Sequence, residues 1–391
     1  MVTGIFCHYL PIYKDINGVY CSTTLTDAMF DRYFSVVDKL LVATRVYPID
    51  TTFSEMHQEK IDLTNIEIVE FPNLSDPKVM LTSARKEKAK LTEAIKKADL
   101  IFVRGGVIAN WGADIARKLN KPYLDEVAGC AWDEYWNYSG IGKLLAPYME
   151  IKAKSSVRKA DYAVYVTEQW LQNRYPTKGI STHASNVILS NIDENALAAR
   201  LEKIASLRKE RQIVLGTTGG VGNKAKGQQF VIEAMQRLRN RYDFRYELVG
   251  SGDNSYLKGK AKQAGLGDKV VFKGQLTHEE VLFWLDSIDI YIQPSMQEGL
   301  PRSLIEAMSR ACPAIGSTTA GIPELLETEC IFRRGNTDAL CKVLDSFMIS
   351  DWLKYANRNF EKSKEFEIRT LTERRNILFR QYRDAVVGSI E

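Results

Sequence analysis

A chain of 391 residues with 45% hydrophobic and 26% charged side chains is longer than one ordinary core needs, and two domains are the natural expectation. No run approaches the about 18 uninterrupted apolar residues of a membrane span, and residues 5–10 make too short an apolar stretch for a secretory leader, so a cytoplasmic protein is expected. Six scattered cysteines without a C-x-x-C pair, four isolated histidines and a net charge of +4 with no basic arm exclude a disulfide scaffold, a histidine-rich metal centre and a nucleic-acid tail.

In chain order, the apolar runs at 4–9, 40–43, 66–69, 100–103, 123–127 and 162–166 predict strands, with helices over 77–98 and 112–119 between them. A further helix is expected from Ser22. The joint falls near 190–195, where polar residues follow the apolar run 186–189. Beyond it, strands 213–217, 245–250, 270–272, 288–293, 313–316 and 330–332 alternate with helices over 228–239, 256–264, 279–285 and 302–310. Regular β–α alternation implies a parallel sheet covered on both faces. Ile368, Leu371, Leu378, Phe379 and Tyr382 then mark an amphipathic helix over 366–387 with no strand after it. Basic residues gather twice, at Arg85, Lys86, Lys88, Lys90, Lys96 and Lys97, and at Lys143, Lys152, Lys154, Arg158 and Lys159. Two readings stay open for them, a solvated helix face and a surface that docks on anionic lipid.

The stretch 297–326 carries the chemistry. Glu298 and Glu306 bracket Gly-Leu-Pro-Arg-Ser-Leu-Ile, the first just past a strand and the second about one and a half turns into the next helix. Pro301 suits the start of that helix, whose free N–H groups and positive dipole end form an anion site. Carboxylates beside an anion site find a purpose as acceptors for sugar and ribose hydroxyls, and the combination describes a nucleotide sugar at the carboxyl ends of a parallel sheet.

Glu298-x7-Glu306, continuing Ala307-Met308 and ending Gly321-Ile322-Pro323-Glu324, resembles the retaining GT-B enzymes of glycosyltransferase family 4. Lys226-Gly227 after the glycine segment 216–222, Val249-Gly250-Ser251-Gly252 and Val271-Phe272-Lys273-Gly274 follow in the family's order. Gly18 and the segment Tyr165-Val166-Thr167-Glu168 match more loosely in the first half.

The resemblance implies two Rossmann-like α/β domains facing across a cleft. These are an acceptor-side domain over 1–192, joined by a helix crossing back over 366–391, and a nucleotide-sugar domain over 193–365. It implies transfer from a UDP- or GDP-sugar to a glycan or lipid-linked glycan, without cofactor or metal. By the same analogy Glu298 binds the transferred sugar, Lys226 neutralises the leaving diphosphate and Glu306 holds the ribose. Leu300, Arg302 and Ser303 cradle sugar and phosphate, the Leu276 backbone meets the base, and Gly18 meets the phosphates.

The sequence departs from the family twice. Gly220 or Val221 stands where an arginine precedes the phosphate lysine, leaving Lys224 as a substitute. The stretch 123–129 lacks the family's histidine, leaving Glu126 for the acceptor side. Trp132, Tyr135, Trp136 and Tyr138 are open between a sugar-stacking platform and ordinary packing. Gly220-Val221-Gly222-Asn223-Lys224-Ala225 matches a dinucleotide fingerprint in form only, because the next strand ends without a ribose-binding acid. No Asp-x-Asp follows a strand, against a metal-dependent transferase. A nucleotide-sugar epimerase and a non-catalytic GT-B partner subunit are the rival readings.

Overall fold

The computed structural model describes residues 1–55, 58–138, 140–190, 192–207 and 211–388. Its first half carries strands β1 (Thr3–His8), β2 (Ile12–Lys14), β3 (Tyr20–Ser22), β4 (Lys39–Pro48), β5 (Glu59–Lys60), β6 (Ile66–Phe71), β7 (Leu100–Arg104), β8 (Leu124–Val127), β9 (Tyr162–Tyr165) and β10 (Ile180–His183). Helices α1 (Asp27–Phe30), α2 (Pro77–Lys97), α3 (Gly106–Lys118), α4 (Ala131–Tyr138), α5 (Gly140–Lys159) and α6 (Trp170–Arg174) connect them. The main sheet runs β10-β9-β8-β7-β1-β4 with β6 also on β4, all parallel. Every residue of β7, β8 and β9 is buried, including the ionisable Arg104, Asp125 and Glu126.

The expected helix from Ser22 does not form. Ser22 instead ends β3, which pairs antiparallel with β2, and α1 is a single turn starting at Asp27. The Asp15 carboxylate accepts the N–H groups of Asn17 and Val19 at 2.9 and 2.8 Å, and Gly18 takes φ +79° to close that turn.

The second half holds α7 (Glu194–Ala205), β11 (Ile213–Thr218), α8 (Gln228–Leu238), β12 (Phe244–Val249), α9 (Ser255–Gln263), β13 (Val270–Gly274), α10 (His278–Ser287), β14 (Ile290–Gln293), α11 (Arg302–Ser309), β15 (Ala314–Ser317), α12 (Ile322–Leu325), β16 (Ile331–Phe332), α13 (Thr337–Met348), α14 (Trp352–Ser363) and α15 (Ile368–Val387). Its sheet is parallel, ordered β13-β12-β11-β14-β15-β16.

The final helix crosses back. On α15, Phe379 stacks on Tyr33 at 5.9 Å, and the Tyr382 hydroxyl accepts the Ile101 N–H at 2.8 Å, tying the helix to the first sheet. Two connections join the halves side by side, since the Ile368 N–H donates to the Leu189 carbonyl at 3.0 Å.

Candidate active site

The strand ends of both sheets face one cavity of about 470 Å3, within the size range of small-molecule sites. The second-half wall starts at β14. Beyond Gln293 the chain turns through buried Ser295, whose carbonyl accepts the Ser317 and Thr319 hydroxyls at 2.7 and 2.6 Å. This turn presents Glu298. Its Oε1 accepts from Lys226 Nζ at 2.7 Å, Ser295 Oγ at 2.7 Å and Gln293 Nε2 at 3.2 Å. All three donors converge on one oxygen, so Oε2 is the one left to meet a ligand.

Lys226 ends a short turn whose entry is fixed by the Asn223 side chain accepting the Ala225 N–H at 2.9 Å. Gly227 follows with φ +74°, and a Cβ there would lie 2.0 Å from the Pro294 carbonyl oxygen. Only glycine permits this approach, which brings the lysine to the glutamate.

Leu300 and Arg302 line the cavity with Lys226 and Glu298, at the N-terminus of α11, which has no side-chain cap. Its first N–H groups are therefore free for an anion. Ser303 and Glu306 stand behind this wall. The Ser303 hydroxyl donates to Gln293 Oε1 at 3.3 Å, which supports the amide that holds Glu298. Burial pushes the Glu306 carboxyl up against the opposing pull of His278 and Arg302. Leu276 is partly buried against the core. Neither Leu276 nor Glu306 lines the cavity itself.

Three expectations need correction. Gly18 sits in the β2–β3 turn outside the cavity wall, because the loop after β1 forms a hairpin; Thr24 and Thr26 line the cavity instead. Lys224 does not replace the absent arginine, since its ammonium lies 4.3 Å from the Tyr256 ring centroid, away from the cavity. Arg302 is the cation that lines the cavity beside Lys226. Glu126 lines the cavity, yet it is no free base. Tyr33 donates to its Oε1, Arg104 to its Oε2, and Arg32 lies 3.6 Å away. Burial opposes its charge, but Arg104, Arg32 and Tyr33 outweigh that and hold the carboxyl down to about 2.

The first-half wall contains groups the sequence did not single out: His8 at the end of β1, Arg104 at the end of β7, and Asp125, whose carboxyl burial raises to about 7. A strand ending Val103-Arg104-Gly105-Gly106 was the available signal for the second of these. Tyr135 also lines the cavity, while Trp132 and Trp136 stack on each other at 5.4 Å beside it. The Tyr138 side chain lies outside the described residues.

The two walls touch. Arg334 Nη1 lies 3.0 Å from Asp133 Oδ2, and the Glu324 carboxylate accepts the N–H groups of Glu168, Gln169 and Trp170 at the start of α6. Gly299 packs directly on the Ala128 carbonyl. The cleft in this structure is closed.

Comparison with known proteins agrees with this architecture. A family model described as glycosyl transferases group 1 matches residues 212–348, the part that contains Lys226, Glu298 and Glu306. Protein CapJ of Staphylococcus aureus is 30% identical over 368 residues, spanning 92% of this chain and 90% of that protein. The chain belongs to the group 1 glycosyltransferases. Another relative, the putative colanic acid biosynthesis glycosyltransferase WcaL of Salmonella typhimurium, is 28% identical over 178 residues, 44% of this chain and 42% of that one. Among solved structures, Anabaena Alr3699/HepE in complex with UDP superposes with a TM-score of 0.62 at 16% identity, covering 95% of this chain and 98% of that chain. The fold is GT-B, and this glycosyltransferase carries its two parallel sheets on either side of the shared cavity.

Proposed function

We propose that this glycosyltransferase transfers a hexosyl group from a UDP- or GDP-sugar to a glycan or lipid-linked glycan acceptor, with retention of configuration and without metal. Residues 193–365 form the donor side, of which 208–210 lie outside the described residues, and 1–192 with 366–391 form the acceptor side, of which 56, 57, 139, 191 and 389–391 lie outside them. The observation that carries the reading is the anchored carboxylate of Glu298, with one oxygen held by Lys226, Ser295 and Gln293 beside an uncapped helix end.

In the step we propose, the bond from the anomeric carbon to the diphosphate oxygen breaks, and its electron pair leaves with the diphosphate. Lys226, Arg302 and the first N–H groups of α11 meet that growing negative charge. The acceptor hydroxyl oxygen attacks from the same face and its proton passes to the diphosphate. Glu298 Oε2 faces the sugar, whose ring carries positive charge in the transition state. The complexes of HepE with UDP and with UDP-glucose support a uracil donor by analogy.

A thermal-shift panel of UDP, GDP, ADP and CMP tests the donor site, because a ligand that binds only the folded state raises its melting temperature. UDP or GDP is expected to stabilise the protein equally with and without EDTA, and Lys226→Ala to remove most of the shift. A panel without any shift argues for the partner-subunit reading instead.

We further propose that the protein works at an anionic membrane surface, through α4 and α5. Among the described residues no helix is long and apolar enough to cross a membrane. On α5, however, Ile141, Leu144, Tyr148 and Ile151 point outward, with Leu144 81% and Ile151 66% exposed. Lys143 lies over exposed Trp136, and Lys152 and Lys154 flank the same row. Apolar side chains among lysines suit the headgroup region of anionic lipid. Ion pairing does not separate the two clusters, since Lys90 and Lys96 pair with Glu87 and Glu93 as Lys152 and Lys154 do with Asp114 and Glu150; α5 is favoured for its row of exposed apolar side chains, where α2 exposes Leu81. Co-sedimentation with phosphatidylglycerol vesicles, but not phosphatidylcholine ones, is expected, and the double variant Leu144→Glu, Ile151→Glu should abolish it. Absence of binding to the anionic vesicles by the unaltered protein removes this part of the reading.

A further inference from the structure

The first-half wall holds a second polar site, across the cavity from Lys226 and Glu298. Its frame is the junction of β7 and α3. Gly105 and Gly106 take φ +51° and +80°, and a Cβ on Gly106 would fall 2.5 Å from Tyr9 Cβ, so glycine is required for this tight turn against β1. The turn delivers the N-terminus of the 13-residue helix α3 to the cavity, where Gly105, Gly106, Ala109 and Asn110 are part of the lining. No side chain caps that helix end.

A bare helix end would mean little alone. Here two buried side chains beside it line the same cavity with polar atoms unpaired. Arg104 is 8% exposed, and its Nε has no hydrogen-bond partner among the described residues. His8, opposite Arg104 in the β1–β7 register, is 3% exposed, and its Nε2 likewise has none. The His8 Nδ1 contacts the Arg104 carbonyl oxygen, so Nδ1 carries the proton and Nε2 presents a lone pair. Burial keeps this ring neutral.

Charge is also unbalanced. Arg104 and Arg32 share the single carboxylate of Glu126, and Arg375 lies behind them on carbonyl oxygens of Ala184 and Ser185. A buried cation in excess of its counter-charge is costly unless a ligand completes it. The other carboxyls on the cavity do not complete it, for Glu298 belongs to Lys226, and burial raises Asp125 and Glu134 toward the neutral form.

We infer that the α3 N-terminus, Arg104 and Arg32 form an anion subsite for the acceptor, which is a sugar carrying a phosphate or carboxylate group, with His8 Nε2 accepting one of its hydroxyls. This rests on the glycosyl-transfer reading for the word acceptor, but the anion subsite itself is measurable without it. A guanidinium with free helix N–H groups recognises the oxygens of either anion. The lone pair of His8 adds a demand for a neighbouring hydroxyl, which a sugar acid or sugar phosphate meets.

The test is thermal stabilisation by inorganic phosphate and by glucuronate, with chloride at matched ionic strength as control and the donor phosphate site filled by saturating UDP or GDP. The unaltered protein should gain about 2 °C or more beyond the nucleotide effect from at least one anion. Response to phosphate alone marks a phosphorylated sugar; response to glucuronate alone marks a uronic acid.

Arg104→Gln should lose this gain while keeping the nucleotide shift, which also reports that it folds. Asn110→Asp leaves the buried pair intact and places a repelling charge at the rim, and it should lose the gain as well. A gain no larger than with chloride, or one that survives in both variants, overturns the subsite. If nucleotides fail to shift the unaltered protein, the donor reading fails instead; the anion arms are then read on Lys226→Ala protein, where a gain lost in Asn110→Asp still upholds the subsite and no gain refutes it.

Discussion

Replacing Glu298 by glutamine is expected to lower turnover by about 10²–10³-fold, the usual cost of one preorganised charge in a water-poor site, while nucleotide binding stays equal or tightens. The two effects separate because the carboxylate has two duties. Oε1 anchors Lys226, and in the proposed step Oε2 faces the sugar. Glutamine keeps an oxygen and the same length, so local packing survives, but it offers no negative charge to a cationic anomeric carbon. It also releases Lys226, whose ammonium is neutralised at 2.7 Å by Glu298 before any donor arrives. A freed lysine meets the diphosphate at no cost in broken ion pair. An interaction made only in the transition state is lost, and one made in the ground state is not.

The measurement is turnover of whichever UDP- or GDP-sugar the nucleotide panel selects, alongside the thermal shift with the free nucleotide. Product from the unaltered enzyme should keep the anomeric configuration of the donor by NMR; an inverted product defeats the front-face step. Unchanged turnover in Glu298→Gln would remove this residue from the chemistry and leave it as an anchor for the lysine.

How far the sequence foretold this site depended on where each contact was made. The second sheet was legible because its parallel strands are buried on both faces and separated by amphipathic helices, and because Lys226, Glu298, Leu300 and Arg302 are placed by local turns. Gly18 misled, since a glycine after the first strand reads alike in a phosphate loop and in a β-turn; the turn signal was local, Asp15 accepting from Asn17 and Val19 within Asp-Ile-Asn-Gly-Val, and the resemblance outweighed it. Lys224 was a sound substitute by spacing, but one turn of 3-10 helix aims it at Tyr256. Arg104 directly follows the predicted strand 100–103. Its burial depends on Glu126, 22 residues away on the neighbouring strand, and pairing between strands is not written in either one. Helix α5 went unannounced because its apolar residues Ile141, Leu144 and Ile151 lie on the outer face, where periodicity promises lysines.

Gly299→Ala should cost turnover about 100-fold through geometry alone. Gly299 lies between the anchored Glu298 and buried Leu300, and in the closed cleft a Cβ at this position would sit 2.0 Å from the Ala128 carbonyl oxygen and 3.2 Å from Val166 Cγ2. The obstacle is backbone, so it cannot swing aside. Gly299 is not among the glycines with positive φ, so alanine brings no backbone strain of its own and each half keeps its core. What must give is the distance between the halves, by roughly 1 Å at the turn that carries Glu298, and a displacement of that size at a reacting centre is worth about 10² in rate.

The same opening should weaken the Arg334–Asp133 and Glu324–α6 contacts that bridge the cleft, so small-angle scattering on the variant should show a more open particle with an unchanged melting temperature. Gly259→Ala is the matched control, because nothing lies within 4 Å of a Cβ there and helix α9 gains propensity from it. Full turnover in Gly299→Ala would mean that the contact of Gly299 with Ala128 is incidental and that chemistry proceeds with the halves further apart; a loss matched in Gly259→Ala would point to general damage rather than to closure.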